Sequence, residues 1–305
     1  MEPVKDDDLT GRTVDHYAIV ALIAAGGQGR VYRGRDNKLH RDVAIKVHRA
    51  GRDRLARRSL IEEARALSLL NHPHVAGIYD FLTQGSRDFI VMEFVPGATL
   101  RDILTSGPLP SWEVVRLGAQ VARGLAAAHA ANVVHRDIKP SNLKITVAGE
   151  LKILDFGVAR LMPAGEVLDN STKTPSQLTV VGTVPYMAPE QIRGESGNQR
   201  SDIFSVGAVL YEMATGFPAF PQRNIAALVD AVQHRDPRPP TVVNPYVPIV
   251  LERVIMQALH KDPERRYHTA VELAEALEAR MPRAGRDSDP PTSPSQRRSL
   301  APMGA

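Results

Sequence analysis

The chain carries His135-Arg136-Asp137-Ile138-Lys139-Pro140-Ser141-Asn142 and, after a short apolar turn-back, Asp155-Phe156-Gly157. This places two carboxylates, an amide and an ammonium on two short neighbouring loops. Phosphoryl transfer from a nucleotide needs such a set. One carboxylate orients an attacking hydroxyl and takes its proton. The amide and the other carboxylate hold a metal ion on the phosphates, and the ammonium neutralises charge on the transferred group.

The 305 residues leave room for two lobes, each burying its own core. Apolar (43%) and charged (24%) shares are those of an ordinary soluble protein. With no cysteine, disulfides, thiolate metal sites and a cysteine nucleophile are excluded, and a reducing compartment fits. The acidic start, MEPVKDDDLTGR, is unlike a secretory leader. No apolar run approaches the ~18 residues of a membrane span, the nearest being 204–214. The expectation is a soluble chain with no membrane segment, or a cytoplasmic piece of a longer, membrane-anchored one. The net charge of +4 is modest. No aromatic-and-basic strip or recognition-helix motif accompanies it, so nucleic acid is not an expected partner.

Short Val- and Ile-rich runs predict strands at Tyr17–Ile23, Arg30–Arg35, Val43–Val47, Gly77–Leu82 and Phe89–Glu93. Leu60, Leu67 and Leu70 recur at helical spacing between the third and fourth. After Pro96-Gly97 the pattern turns helical. Ser111 is a candidate N-cap for a helix to about Ala131, its apolar side including Val114, Leu117, Val121 and Leu125. Further helices are expected at about 201–215, 224–234, 247–259 and 269–280, the last opened by a capping-box spacing, Thr269 to Glu272. Residues 282–305 are Pro-, Ser- and Arg-rich and predict a disordered tail.

The catalytic octet and Asp-Phe-Gly resemble the eukaryotic-like (Hanks-type) protein kinase family, in its bacterial serine/threonine branch. The resemblance covers about residues 11–280. It implies an α+β, bilobal fold: a small lobe of a five-stranded antiparallel sheet with one main helix (11–95), a larger, mostly helical lobe (96–281), and then the tail. Ile23-Ala24-Ala25-Gly26-Gly27-Gln28-Gly29-Arg30-Val31 is similar to the family's glycine-rich loop, whose backbone amides approach phosphates. Ala24 stands where a first glycine is usual. Val43-Ala44-Ile45-Lys46 looks like the third-strand motif. The resemblance implies that Lys46 reaches the α- and β-phosphates, held by a helix carboxylate, Glu63 in preference to Glu62. Val31 and Ala44 would cover adenine, with Met92 as gatekeeper. Glu93 and Val95 would offer hinge backbone, their side chains doing little.

By the same resemblance Asp137 is the base, Lys139 the charge neutraliser, and Asn142 and Asp155 the ligands of Mg2+, with Mn2+ an alternative. His135 would pack under Phe156, and Arg136 would await a phosphate. Lys144 departs from the family, replacing an apolar floor of the adenine pocket; its stem would lie under the base with the ammonium reaching solvent. Gly182-Thr183-Val184-Pro185-Tyr186-Met187-Ala188-Pro189-Glu190 is similar to the end of an activation segment running from Asp155. Thr183 would contact base and Lys139, Glu190 would pair with Arg266, and Asp202 would fix the catalytic loop. Thr179, with Thr174 and Thr172, would be regulatory phosphosites. Lys139 and Thr183 favour serine and threonine acceptors. The implied activity is an ATP- and Mg-dependent protein serine/threonine kinase that acts on protein substrates and on itself by autophosphorylation. Back-to-back homodimerisation through the small lobe is a family habit. A binding module that keeps the fold without the transfer is the rival, supported by Ala24 and Lys144 alone.

Overall fold

The structure is a computed structural model that describes residues 8–26, 29–49, 61–62, 64–156 and 183–279. The expected tail, Glu63, Gly27 and the hydroxyls Thr172, Thr174 and Thr179 lie outside the described residues. β1 (Thr13–Val14), β2 (Tyr17–Gly26), β3 (Gly29–Asp36), β4 (Arg41–Arg49), β5 (Ile78–Gln84) and β6 (Arg87–Glu93) form one antiparallel sheet in the order β1-β2-β3-β4-β6-β5. The five expected strands are all present. β1 adds a sixth at the edge, and its two residues are too short to leave a period-2 signal. Residues 61–62 and 64–68 are helical.

Alternation along these strands sorts the side chains onto two faces. Tyr32, Val43, Ile45 and Val91 pack with Leu9, Val14 and Tyr17 into a small core of their own. The opposite face carries Val31, Ala44, Lys46 and Met92, for Val31 pairs with Lys46 and Ala44 with Met92 across the ladders. Here the functional face of the lobe is set by register, because a one-residue slip would exchange the two faces.

Beyond the hinge, β7 (Gly97–Thr99), β8 (Leu143–Thr146) and β9 (Leu151–Ile153) make a second, three-stranded antiparallel sheet. Gly97 has φ 136°, and a Cβ there would stand 2.0 Å from the Ile145 carbonyl oxygen, so only glycine lets these backbones approach. The helices are α1 (Leu100–Leu104), α2 (Ser111–Ala130), α3 (Pro189–Ile192), α4 (Gln199–Thr215), α5 (Ile225–His234), α6 (Pro240–Val243), α7 (Ile249–Ala258) and α8 (Ala270–Ala279). α4 is buried on nearly every side from Ser201 to Thr215 and forms the axis of the larger core. No helix among the described residues is long and apolar enough to cross a membrane.

Two expected caps differ from the structure. Ser111 is the first residue of α2 rather than its cap, and Pro110, at φ −56° and ψ 143°, makes the non-helical entry with no side-chain bond. At α8, Thr269 Oγ1 accepts the Glu272 N–H at 3.1 Å, but the Glu272 carboxylate accepts from His268 N–H. The box is therefore offset by one residue on its return side.

The larger lobe is tied by a buried ion pair. Arg266 donates to both Glu190 oxygens, at 2.7 and 2.9 Å. Its remaining donors meet the carbonyls of His260, Arg200 and Lys261. Burial alone would raise the Glu190 carboxyl, but Arg266 and the Ser201 hydroxyl hold it below its ordinary value. Nearby, Lys261 Nζ donates to the Val232 carbonyl at 2.7 Å, at the C-terminal end of α5, and lies 4.1 Å from the Phe220 ring centroid. Burial pulls its pKa down to about 8.

Arg266→Met leaves a buried carboxylate without its cation and is expected to cost about 3–5 kcal/mol. Arg123→Ala, at an exposed pair with Glu278, should cost at most about 1 kcal/mol. Urea denaturation of both variants checks the contrast. Lys261 adds a pH dependence. Between its folded value of about 8 and the ordinary 10.5, the unfolded chain binds a proton that the folded chain has lost. Its contribution to stability therefore rises with pH across that window. Lys261→Met should flatten the rise, measured as the difference between parent and variant at pH 8, 9 and 10.

Candidate active site

The loop 135–142 is held from beneath by Asp202, which α4 carries into the core. Its Oδ2 accepts His135 N–H at 2.8 Å and lies 2.8 Å from His129 Nε2, and its Oδ1 accepts Arg136 N–H at 2.7 Å. Arg136, whose amide is held in this way, has φ 64°, in the left-handed region. For a non-glycine residue that costs on the order of 1–3 kcal/mol and persists only where the surroundings impose it. Asp155, at φ 55°, is the same case on the second loop.

The loops are stitched to each other. Leu154 N–H donates to the Asn142 carbonyl at 2.8 Å, and His135 Nε2 lies 3.0 Å from the Leu154 carbonyl. His135 packs against Phe156, with ring centroids 4.7 Å apart. Full burial keeps the His135 imidazole pKa below its ordinary value.

At the mouth of this assembly Lys139 Nζ donates to Asp137 Oδ2 at 2.9 Å and to Thr183 Oγ1 at 3.1 Å. Asn142 Nδ2 donates to the Asp137 carbonyl and to Oδ2, at 2.8 and 3.2 Å. Lys46, only 3% exposed, pairs with Asp155 Oδ1 across the cleft. The pair lies between β4 and the end of β9, so it links the two lobes. A helix carboxylate was the expected partner of Lys46. Glu62 is exposed and Glu63 lies outside the described residues; among the described residues Asp155 pairs with Lys46.

On the nucleotide side, Gly26 and Gly29 face each other across β2 and β3. Gly29 has φ 114°, and a Cβ there would stand 2.4 Å from the Val47 carbonyl oxygen, so that position accepts glycine alone. Ile23 is exposed and Val31 half-buried, while Ala44 is buried. The expectation for the Glu93 side chain is overturned: it accepts Lys152 Nζ at 2.8 Å and Gly77 N–H at 3.2 Å, tying the hinge to β9. The residue pattern holds no sign of this, because Lys152 lies 59 positions away. Val95 is buried and Met92 half-buried beside Ala44. Lys144 is paired with Thr99 across β7 and β8, and its Nζ lies 5.8 Å from the Phe94 ring centroid. Burial lowers its pKa while Asp102 counters the shift.

Among the described residues no cluster of three His, Cys, Asp or Glu side chains is arranged to hold a metal ion by itself. Asn142 and Asp155 offer one amide oxygen and one carboxylate. Such a sparse oxygen set suits a small hard cation that keeps water and substrate phosphates as its remaining ligands.

Comparison with known proteins agrees with this geometry. Residues 17–277 match the family model described as protein kinase domain. The chain is 38% identical over 266 residues to serine/threonine-protein kinase PknB of Mycobacterium leprae, covering 85% of this chain and 42% of that one. A probable serine/threonine-protein kinase of Clostridium perfringens is 36% identical over 270 residues, covering 87% and 38%. One from Streptomyces coelicolor is 35% identical over 271 residues, covering 86% and 39%. The chain thus spans about two fifths of the length of these curated relatives.

Asp202→Asn replaces two acceptor oxygens by one oxygen and a donor that faces an N–H. The amides of His135 and Arg136 should then exchange with solvent at least about tenfold faster, the loss of one hydrogen bond to a charged group. Hydrogen exchange should leave residues 225–234 unchanged.

Proposed function

Because the chain belongs to the protein kinase domain family, we propose that it transfers the γ-phosphate of ATP to serine and threonine hydroxyls of proteins. The observation that carries this reading is Lys139, whose ammonium bridges Asp137 and Thr183. A hydroxyl placed there meets a carboxylate that takes its proton and a cation that balances the charge developing on the transferred group. The acceptor oxygen forms a bond to the γ-phosphorus, the bond to the leaving ADP breaks, and the proton passes to Asp137. Thr183 orients Lys139. Asn142 holds the Asp137 carboxylate in place through Nδ2, and its side-chain oxygen would be one ligand of a bound cation. Asp155 would be the other, and Lys46 steadies both it and the α- and β-phosphates. Mg2+, with Mn2+ as a substitute, would neutralise phosphate charge when bound between Asn142 and Asp155.

Ile23, Gly26, Gly27, Gly29, Val31, Ala44 and Met92 would enclose the nucleotide, with the backbone of Glu93 and Val95 at the adenine edge and the Lys144 stem beneath it. Glu63 completes the set as a partner for Lys46 in the active arrangement. Residues 11–95 and 96–281 would be the two lobes that close around ATP, followed by the tail from 282. On this reading the switch is the chain's own phosphorylation at Thr179, with Thr174 and Thr172, and Arg136 receives the phosphate. The partners are protein substrates and a second copy of the chain, in the cytoplasm.

Dephosphorylated protein given Mg-ATP and a generic protein substrate should place phosphate on serine or threonine, and on its own activation segment. Asp155→Asn and Asp137→Asn should each lower the rate by at least about a hundredfold, in line with the loss of a group that stabilises charge in the transition state. Mass spectrometry reads the sites. Absence of phosphate in the parent, with ATP binding intact, would replace this reading with that of a binding module.

A further inference from the structure

Gln191 follows Glu190 on the single turn of α3, and nothing in the mechanism above uses it. Its side-chain amide is nevertheless engaged at both ends. Oε1 accepts Ala188 N–H at 3.0 Å, and Nε2 donates to the Arg136 carbonyl at 3.1 Å. That carbonyl belongs to the peptide plane joining Arg136 to Asp137. The N–H of the same plane donates to His135 Nδ1 at 3.2 Å. Gln191 and His135 therefore grip the two edges of one peptide plane. The plane follows a left-handed residue, where the backbone is under strain. Rotating it re-aims the Cα–Cβ bond of Asp137.

A second contact holds Gln191 in place. A Cβ built on Gly197 would stand 2.9 Å from Gln191 Nε2 and 3.3 Å from Cδ and Cγ. The Gly197 backbone is thus packed against the amide, and its carbonyl accepts Arg136 Nε at 3.3 Å.

We infer that Gln191 is a positioning residue for Asp137: it fixes the Arg136–Asp137 peptide plane and, through Ala188, couples that plane to the segment carrying Thr183 and Tyr186. The inference rests on the phosphoryl-transfer reading for its kinetic consequence, but not for its structural one. Displacement of a reacting group by about 1 Å can cost about a hundredfold in rate, and loss of one of two grips on the plane should cost part of that.

The test uses Gln191→Glu, Gln191→Ala, Gly197→Ala and the double variant Gln191→Ala/Gly197→Ala. Gln191→Glu keeps the acceptor for Ala188 N–H and loses the donor to Arg136. Gly197→Ala pushes the amide away from the other side and leaves Gln191 itself intact, so it carries the test should the Gln191 variants fold poorly. With kcat counted per nucleotide-binding site, each single variant should fall about tenfold while KM for ATP stays within about twofold. The double variant should be no slower than Gln191→Ala, because Gly197 acts through Gln191. The Asp137 amide should exchange faster in every variant. Unchanged kcat per site in Gln191→Glu and Gly197→Ala, or additive effects in the double variant, would overturn the inference. A parent that transfers no phosphate would count against the kinase reading alone. The inference would then stand on faster exchange at Asp137 in the variants, or fall on its absence.

Discussion

A single carboxylate, that of Asp202, carries the arrangement on which the rest of the site depends. It is fully buried in α4 and accepts two consecutive backbone amides, of His135 and Arg136. The left-handed φ of Arg136 comes directly after these two held amides. A buried anion without such donors would be costly, so the carboxylate and the strained loop stabilise each other. Asp137, Lys139 and Asn142 then leave the turn in one direction, toward the mouth of the cleft.

Around this centre charge is balanced locally. Lys139 faces Asp137 and Lys46 faces Asp155, so two cations and two anions occupy a half-buried cleft in neutral pairs. The pairs differ in reach. Lys139–Asp137 lies within one loop, whereas Lys46–Asp155 joins β4 to the end of β9. One face of the small lobe has a core of its own, while its other side, through Ala64, Leu67, Val75 and Ile90, joins the core around α4. Among the described residues the lobes are also joined by the hinge with its Glu93–Lys152 pair, the Val75–Ile153 bridge and the Lys46–Asp155 pair.

The larger lobe handles its buried charge differently. Arg266 satisfies every one of its N–H groups, two on Glu190 and three on carbonyls. Planar, forked guanidinium geometry suits that saturation, and a lysine would leave acceptors unmet. The pair anchors α3, the short helix that presents Gln191 to the catalytic loop. The same turn therefore joins the stability of the lobe to the peptide plane that precedes Asp137.

Much of this was legible in the residues themselves. The octet, Asp-Phe-Gly, the glycines at 26 and 29, and the Val-Ala-Ile-Lys strand named the chemistry and the two lobes, because side-chain type and local spacing are written along the chain. Strand faces followed from alternation, and the pairing of Glu190 with Arg266 followed from family resemblance. The misses share a cause. Ser111 was read as a cap from its type alone, although Pro110 already supplies the entry geometry. The Glu93 side chain, the Asp155 partner of Lys46 and the two-ended amide of Gln191 depend on partners 59, 109 and 55 positions away. Hydrogen bonds select partners by distance and angle in space, and no local pattern records which remote group arrives within 3 Å. By itself, then, the sequence named the candidate groups for the chemistry and the kind of element on which each would sit. Only the tertiary structure decided how those groups are held, because their orientation is set by contacts that exist once the two loops, α3 and α4 have packed together.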